Sequence, residues 1–68
     1  MKRTTFQARY LGDGTFYRWT FWRDARPPAG WMLQTHDGVE RCIGVNWVDA
    51  VPRIKAVADN YGMVVEIS

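Results

Sequence analysis

Residues 16–23 put five aromatic rings (Phe16, Tyr17, Trp19, Phe21, Trp22) and two guanidinium groups (Arg18, Arg23) into eight positions. Side chains of these types make contacts and do not by themselves break bonds. Rings stack, guanidinium groups meet anions, and Trp, Tyr and Arg dominate the hot spots of interfaces. Successive side chains of a strand leave opposite faces, so Tyr17, Trp19 and Phe21 point one way and Phe16, Arg18, Thr20 and Trp22 the other. The first set predicts a core. The second predicts a surface that touches something.

The residues that could break bonds are few. His36 is the only histidine and sits beside Asp37 and Gly38, a sequence that reads as a solvated turn. Cys42 is the only cysteine and lies in an apolar run, where a thiol acts as a small buried hydrophobe. A nucleophile at Cys42 would need an electropositive setting and a base within hydrogen-bond reach. His36 is offset from it along the same hairpin, so a dyad is not expected. Asp37 and Glu40 lie near a turn with nothing to desolvate them as an acid–base pair. Gly12-Asp13-Gly14 joins two strands and does not open a helix, so it is no phosphate-binding loop. One thiol excludes an internal disulfide and argues against a thiolate metal site. No enzyme, no metal and no cofactor is expected.

The elements that must position the contact residues follow from alternation and punctuation. Residues 4–11 and 15–23 are strand-like, with Asp13-Gly14 between them as a hairpin signal. A two-residue turn at Asp13-Gly14 sets Tyr10 against Tyr17, Ala8 against Trp19 and Phe6 against Phe21, gathering these six side chains on one face. A three-residue turn mixes Gln7 and Arg9 into that face, so the two-residue turn is the expectation. On the other face it places Arg9 directly opposite Arg18, flanked by Gln7, Phe16, Thr20 and Trp22. Like charges so placed repel, unless an anion joins them.

Residues 24–30, with Arg26-Pro27-Pro28, read as a stiff loop. Residues 31–35 and 39–45 form a second hairpin, with His36-Asp37-Gly38 preferred as a three-residue turn. A helix over residues 49–61 follows, with Asp49 as N-cap, Pro52 in its first turn and Gly62 after its end. Val51, Ile54, Ala58 and Tyr61, with Ala50 and Val57, make its apolar stripe. Residues 63–67 close the chain as a strand with Met63, Val65 and Ile67 on one face. The prediction is one compact α+β domain spanning residues 1–68, ordered β-β-β-β-α-β. It consists of a mainly antiparallel sheet of two hairpins and a C-terminal strand, with one helix packed on its aromatic face.

Composition fits a folded chain: 47% of the 68 residues are hydrophobic and 24% charged. The net charge of +2 is unevenly spread, with six cations against two acids in residues 1–30 and three against five in residues 31–68. A basic, aromatic first half favours an anionic partner. No run of about 18 apolar residues and no signal-peptide pattern is present, so a cytoplasmic location without membrane contact is expected.

The candidate contact set is Arg9, Phe16, Arg18, Trp22, Arg23 and Arg26. Its partner would be a macromolecule, either a protein or a nucleoprotein complex. The same face could take single-stranded nucleic acid, with bases on rings and phosphates on guanidinium groups, although no nucleic-acid-binding signature is present. A third use is self-association to a homodimer. The bland alternative is that Phe16 and Trp22 pack against the proline loop under arginine stems. In size and layout alone, the chain resembles the compact α+β inhibitors that phages and mobile elements direct at host complexes, anti-CRISPR proteins among them. That likeness covers no residue pattern; it implies a binder that acts by occlusion.

Overall fold

A computed structural model describes residues 2–25 and 30–67. In chain order the elements are β1 (Arg3–Tyr10), β2 (Phe16–Asp24), β3 (Gly30–Gln34), β4 (Glu40–Gly44), α1 (Trp47–Asn60) and β5 (Met63–Val65). The fold is the expected α+β arrangement. Its five strands form one sheet in the order β4-β3-β2-β1-β5, and every neighbouring pair is antiparallel. Because β4 and β5 occupy opposite edges, the helix that joins them has to cross a face of the sheet. It covers one face, and among the described residues no second helix covers the other.

The covered face is where the apolar residues meet. Ala8, Trp19, Leu33 and Ile43 from the strands pack with Ala50, Ile54 and Ala58 of α1, and Met63 and Val65 close the end. Phe6, Tyr17, Phe21, Trp31, Trp47, Val57 and Tyr61 border this cluster half-buried. Small residues on α1 let the helix approach the bulky indole of Trp19, which has no solvent exposure. The expected face partition therefore holds for Phe6, Ala8, Tyr17, Trp19 and Phe21. Tyr10, paired with Met63, keeps that face too but is exposed at the hairpin end.

The register of the first hairpin differs from the two-residue turn. Phe6 pairs with Trp19, Ala8 with Tyr17, Gln7 with Arg18 and Arg9 with Phe16. A two-residue type I′ turn needs positive φ at both central residues. Only Gly14 supplies it, at φ 76, and among the described residues no non-glycine has positive φ. A four-residue loop forms over residues 11–14, held by Tyr10 N–H to the Thr15 carbonyl and Gly14 N–H to the Tyr10 carbonyl, both at 2.8 Å. The Asp13 carboxylate accepts the Thr15 N–H at 2.9 Å. The shift of two residues keeps every side chain on its predicted face, since the strand period is two. It does remove the direct Arg9–Arg18 pairing: those side chains are diagonal neighbours.

The second hairpin turns over His36-Asp37-Gly38 as preferred, with Leu33 opposite Arg41 and Gln34 opposite Glu40. A bulge then lets Trp31 pair with Gly44 in place of Ile43. The backbones are close there: a side chain at Gly30 would lie 2.9 Å from the Gly44 carbonyl oxygen.

The helix starts two residues before the expected first position. Asn46 is its N-cap without a side-chain bond, and Asp49 falls in the first turn, where its charge favours the N-terminal dipole. Pro52 then sits beyond the first turn and leaves the Val48 carbonyl without its usual intrahelical donor. Val48 is exposed, so water can reach it. The early start has a packing cause, because the Trp47 ring packs tilted against Trp31 and Phe21, with ring centroids 4.7 and 4.9 Å away. The expected end holds: Gly62 takes φ 69, and its N–H reaches the Asp59 carbonyl at 3.1 Å.

Trp22 supplies the test of packing on the far side. It faces away from the helix yet is only 2% exposed, with the Arg3 guanidinium 3.9 Å above its ring. Trp22→Ala and Trp19→Ala should each cost about 3–5 kcal/mol, read as comparable drops in a thermal melt. A Trp22→Ala protein that melts like the parent would contradict the burial of this second indole.

Candidate docking face

The face not covered by the helix carries Arg3, Gln7 and Arg9 from β1, Phe16, Arg18, Thr20 and Trp22 from β2, and Val64 from β5. Arg9 is central to one end of it. Antiparallel pairing puts Phe16 directly across from Arg9 on one side and Val64 on the other. Gln7, Arg9, Phe16, Val64 and Glu66 line an open groove of about 450 Å³. Phe16 is 58% exposed and Val64 40% exposed, so the guanidinium stands between two uncovered apolar side chains. This arrangement can grip a partial negative charge while apolar surface beside it loses water. Glu66 adds an acceptor at the rim.

The predicted contact residues divide into groups. Arg9, Phe16 and Arg18 share the open face at one end of the hairpin, with Arg18 next to Gln7. Trp22 shares the face but is buried under Arg3, so its ring is not available as a platform. Arg23 pairs with Trp31 and leaves from the helix-covered side, at the distal end of β2. Arg26 and the Pro27-Pro28 pair lie outside the described residues. Val64 and Glu66 were not foreseen as neighbours of Arg9, because sequence alone does not say that β5 pairs with β1. The signal available was the alternation of Met63, Val64 and Val65, which already turned Val64 away from the buried face.

The residues weighed for catalysis occupy other places. Cys42 is exposed on the edge strand β4, opposite Met32, which corrects its expected burial. His36 holds the core: its Nδ1 accepts the Trp19 indole N–H at 3.0 Å, while its ring lies 4.5 Å from that of Tyr17 and 5.4 Å from that of Tyr61. With Nδ1 as acceptor, the neutral imidazole carries its proton on Nε2. Beside it, the Thr35 and Tyr61 hydroxyls both donate to the Asp37 carboxylate. Arg41 donates to the Thr35 hydroxyl at 3.0 Å and to the Tyr61 hydroxyl at 2.9 Å. The network fastens the second turn to the end of α1. The Thr35 bond first and the Tyr61 bond second hold the Asp37 carboxyl well below the ordinary 3.8. Among the described residues, no group of three or more His, Cys, Asp or Glu side chains could hold a metal ion. No helix among them is long and apolar enough to cross a membrane.

No family model, curated protein or solved structure matches this chain. The functional reading therefore stands on the geometry.

Two stability predictions follow from the turn network. His36→Ala leaves the fully buried Trp19 indole N–H without a partner and should cost about 1–3 kcal/mol, measured by denaturant titration. Asp37 is held ionised in the folded state, so the stability it gives is complete above the ordinary 3.8 and is lost as pH falls below it. Asp37→Asn should accordingly melt with a shallower pH dependence than the parent across the acid range below that value. An unchanged acid slope would show that the two hydroxyl bonds do not favour the carboxylate.

Proposed function

We propose that this chain is a non-enzymatic binding protein that docks the uncovered face of its sheet on a macromolecular partner and acts by occluding it. The observation that carries the reading is Arg9 standing between exposed Phe16 and Val64 in an open groove on a rigid strand pair. A single layer of sheet with apolar side chains and guanidinium groups on its free side is costly to leave in water, and an interface relieves that cost. The groove also carries Glu66, while Glu40 lies farther along the open face. Mixed charge of this kind suits a protein surface, or the protein part of a nucleoprotein complex, better than a bare polyanion. Occlusion as the mode of action, in a cytoplasmic setting, is inferred by analogy of size and layout alone with phage and mobile-element inhibitors such as anti-CRISPR proteins.

A second reading uses the same face for single-stranded nucleic acid. Exposed Phe16 offers a stacking surface, with Arg9 opposite and Arg18 diagonal to Arg9 for phosphates.

Arg9→Glu reverses the charge at the centre of the groove and leaves the covered face untouched. It should lower affinity for a partner captured from the source cell at least about tenfold, with the melting temperature within a few degrees of the parent. Retained affinity would remove the groove as the docking site. Titration with labelled single-stranded DNA and RNA at low and high salt separates the readings. Binding that weakens steeply with salt favours the nucleic-acid reading, and no binding at either salt favours the protein partner.

A further inference from the structure

A second depression lies at the other end of the sheet. Lys2, Thr4, Phe21, Trp22, Arg23 and Trp31 line it, with a volume of about 320 Å³. Its floor is aromatic. Phe21 and Trp31 line it with ring centroids 6.0 Å apart, and Trp47, outside the lining, packs against both at 4.9 and 4.7 Å. All three are half-buried, and the helix that covers the rest of this face leaves them part-uncovered. Its rim is cationic. Arg23 sits across from Trp31 in the β2–β3 pairing, Thr4 sits across from Phe21, and Lys2 precedes them. Both cations are exposed, and the described residues lining the depression include no acid.

We propose that this depression is a binding site for a free purine nucleotide. The half-buried Phe21 and Trp31 rings in its lining offer aromatic surface for a base to stack on, and aromatic stacking tolerates any base. The Arg23 guanidinium and Lys2 ammonium meet the phosphate at the edge of that surface, the arginine by a two-point bond and the lysine as a point charge. The Thr4 hydroxyl supplies a donor or acceptor between ring and phosphate. The volume lies at the lower end of small-ligand sites and suits one nucleotide. A basic rim without its ring surface would attract any anion; together they select a planar ring bearing a phosphate. The site is separate from the groove at Arg9, with which it shares no lining residue.

The test is quenching of tryptophan fluorescence, confirmed by calorimetry, with AMP, GMP, adenosine, inorganic phosphate, phosphotyrosine and a 5′-phosphorylated oligoadenylate as probes. The site predicts saturable binding of AMP and GMP, with adenosine and phosphate each at least about tenfold weaker. Arg23→Gln and Lys2→Gln, at exposed positions, should each weaken AMP about five- to tenfold, whereas Arg9→Glu should leave AMP affinity unchanged. The same Arg9→Glu protein loses the docking partner, so failure of one site does not imitate failure of the other. Four results would overturn the assignment: no saturation by either mononucleotide, tighter binding of phosphotyrosine than of AMP, binding of the oligonucleotide alone, or AMP affinity indifferent to both Arg23→Gln and Lys2→Gln.

Discussion

The structure depends on one side chain more than any other: the Trp19 indole. It is fully buried, meets Phe6 of the neighbouring strand edge-on at 6.2 Å, and lies 5.7 Å from the Tyr61 ring at the end of the helix. Its N–H satisfies itself on His36 in the second turn. One residue thus joins both hairpins to the helix. In so small a core, this connection decides which face of the sheet the helix covers and which is left bare.

Function, on this account, follows from that division. A sheet with one helical layer has a free face, and a chain without a second layer must make that face polar, short of apolar area, or useful. Here it is mixed. At one end Trp22 is buried, with the Arg3 guanidinium above its ring. At the other, Phe16 and Val64 stay open on either side of Arg9. The same kind of side chain thus takes two roles, buried at Trp22 and exposed at Phe16. The bare end is where an occluding contact would be made.

Much of the fold was legible in the sequence because strand alternation and turn residues point the same way. The order of elements, the face of Trp19, the three-residue second turn and the Gly62 stop all followed from local pattern. What local pattern did not carry is informative. The Asp13-Gly14 pair signals a turn, but a type I′ turn asks for positive φ at Asp13 as well, and the chain takes a longer loop in which the carboxylate accepts the Thr15 N–H. The faces survived because the slip was even; the Arg9–Arg18 opposition did not. Trp47 begins the helix early because its ring packs on Phe21 and Trp31, a tertiary contact that propensity does not record. His36 is the exposed turn residue that the sequence suggests, and it is also the acceptor for the buried indole, a contact that local pattern does not carry. The groove at Arg9 needed β5 beside β1, and strand order is set by the helix crossing, which no single stretch of sequence encodes.

The most direct measurement of the central claim is the nuclear magnetic resonance signature of the four tryptophan indole N–H groups in the folded protein. The account predicts that the Trp19 indole proton exchanges with solvent more slowly than those of half-buried Trp31 and Trp47. It also predicts nuclear Overhauser contacts from the Trp19 indole to the His36, Phe6 and Tyr61 rings. A Trp19 indole proton that exchanges as fast as that of Trp31, with no contact to His36, would contradict it.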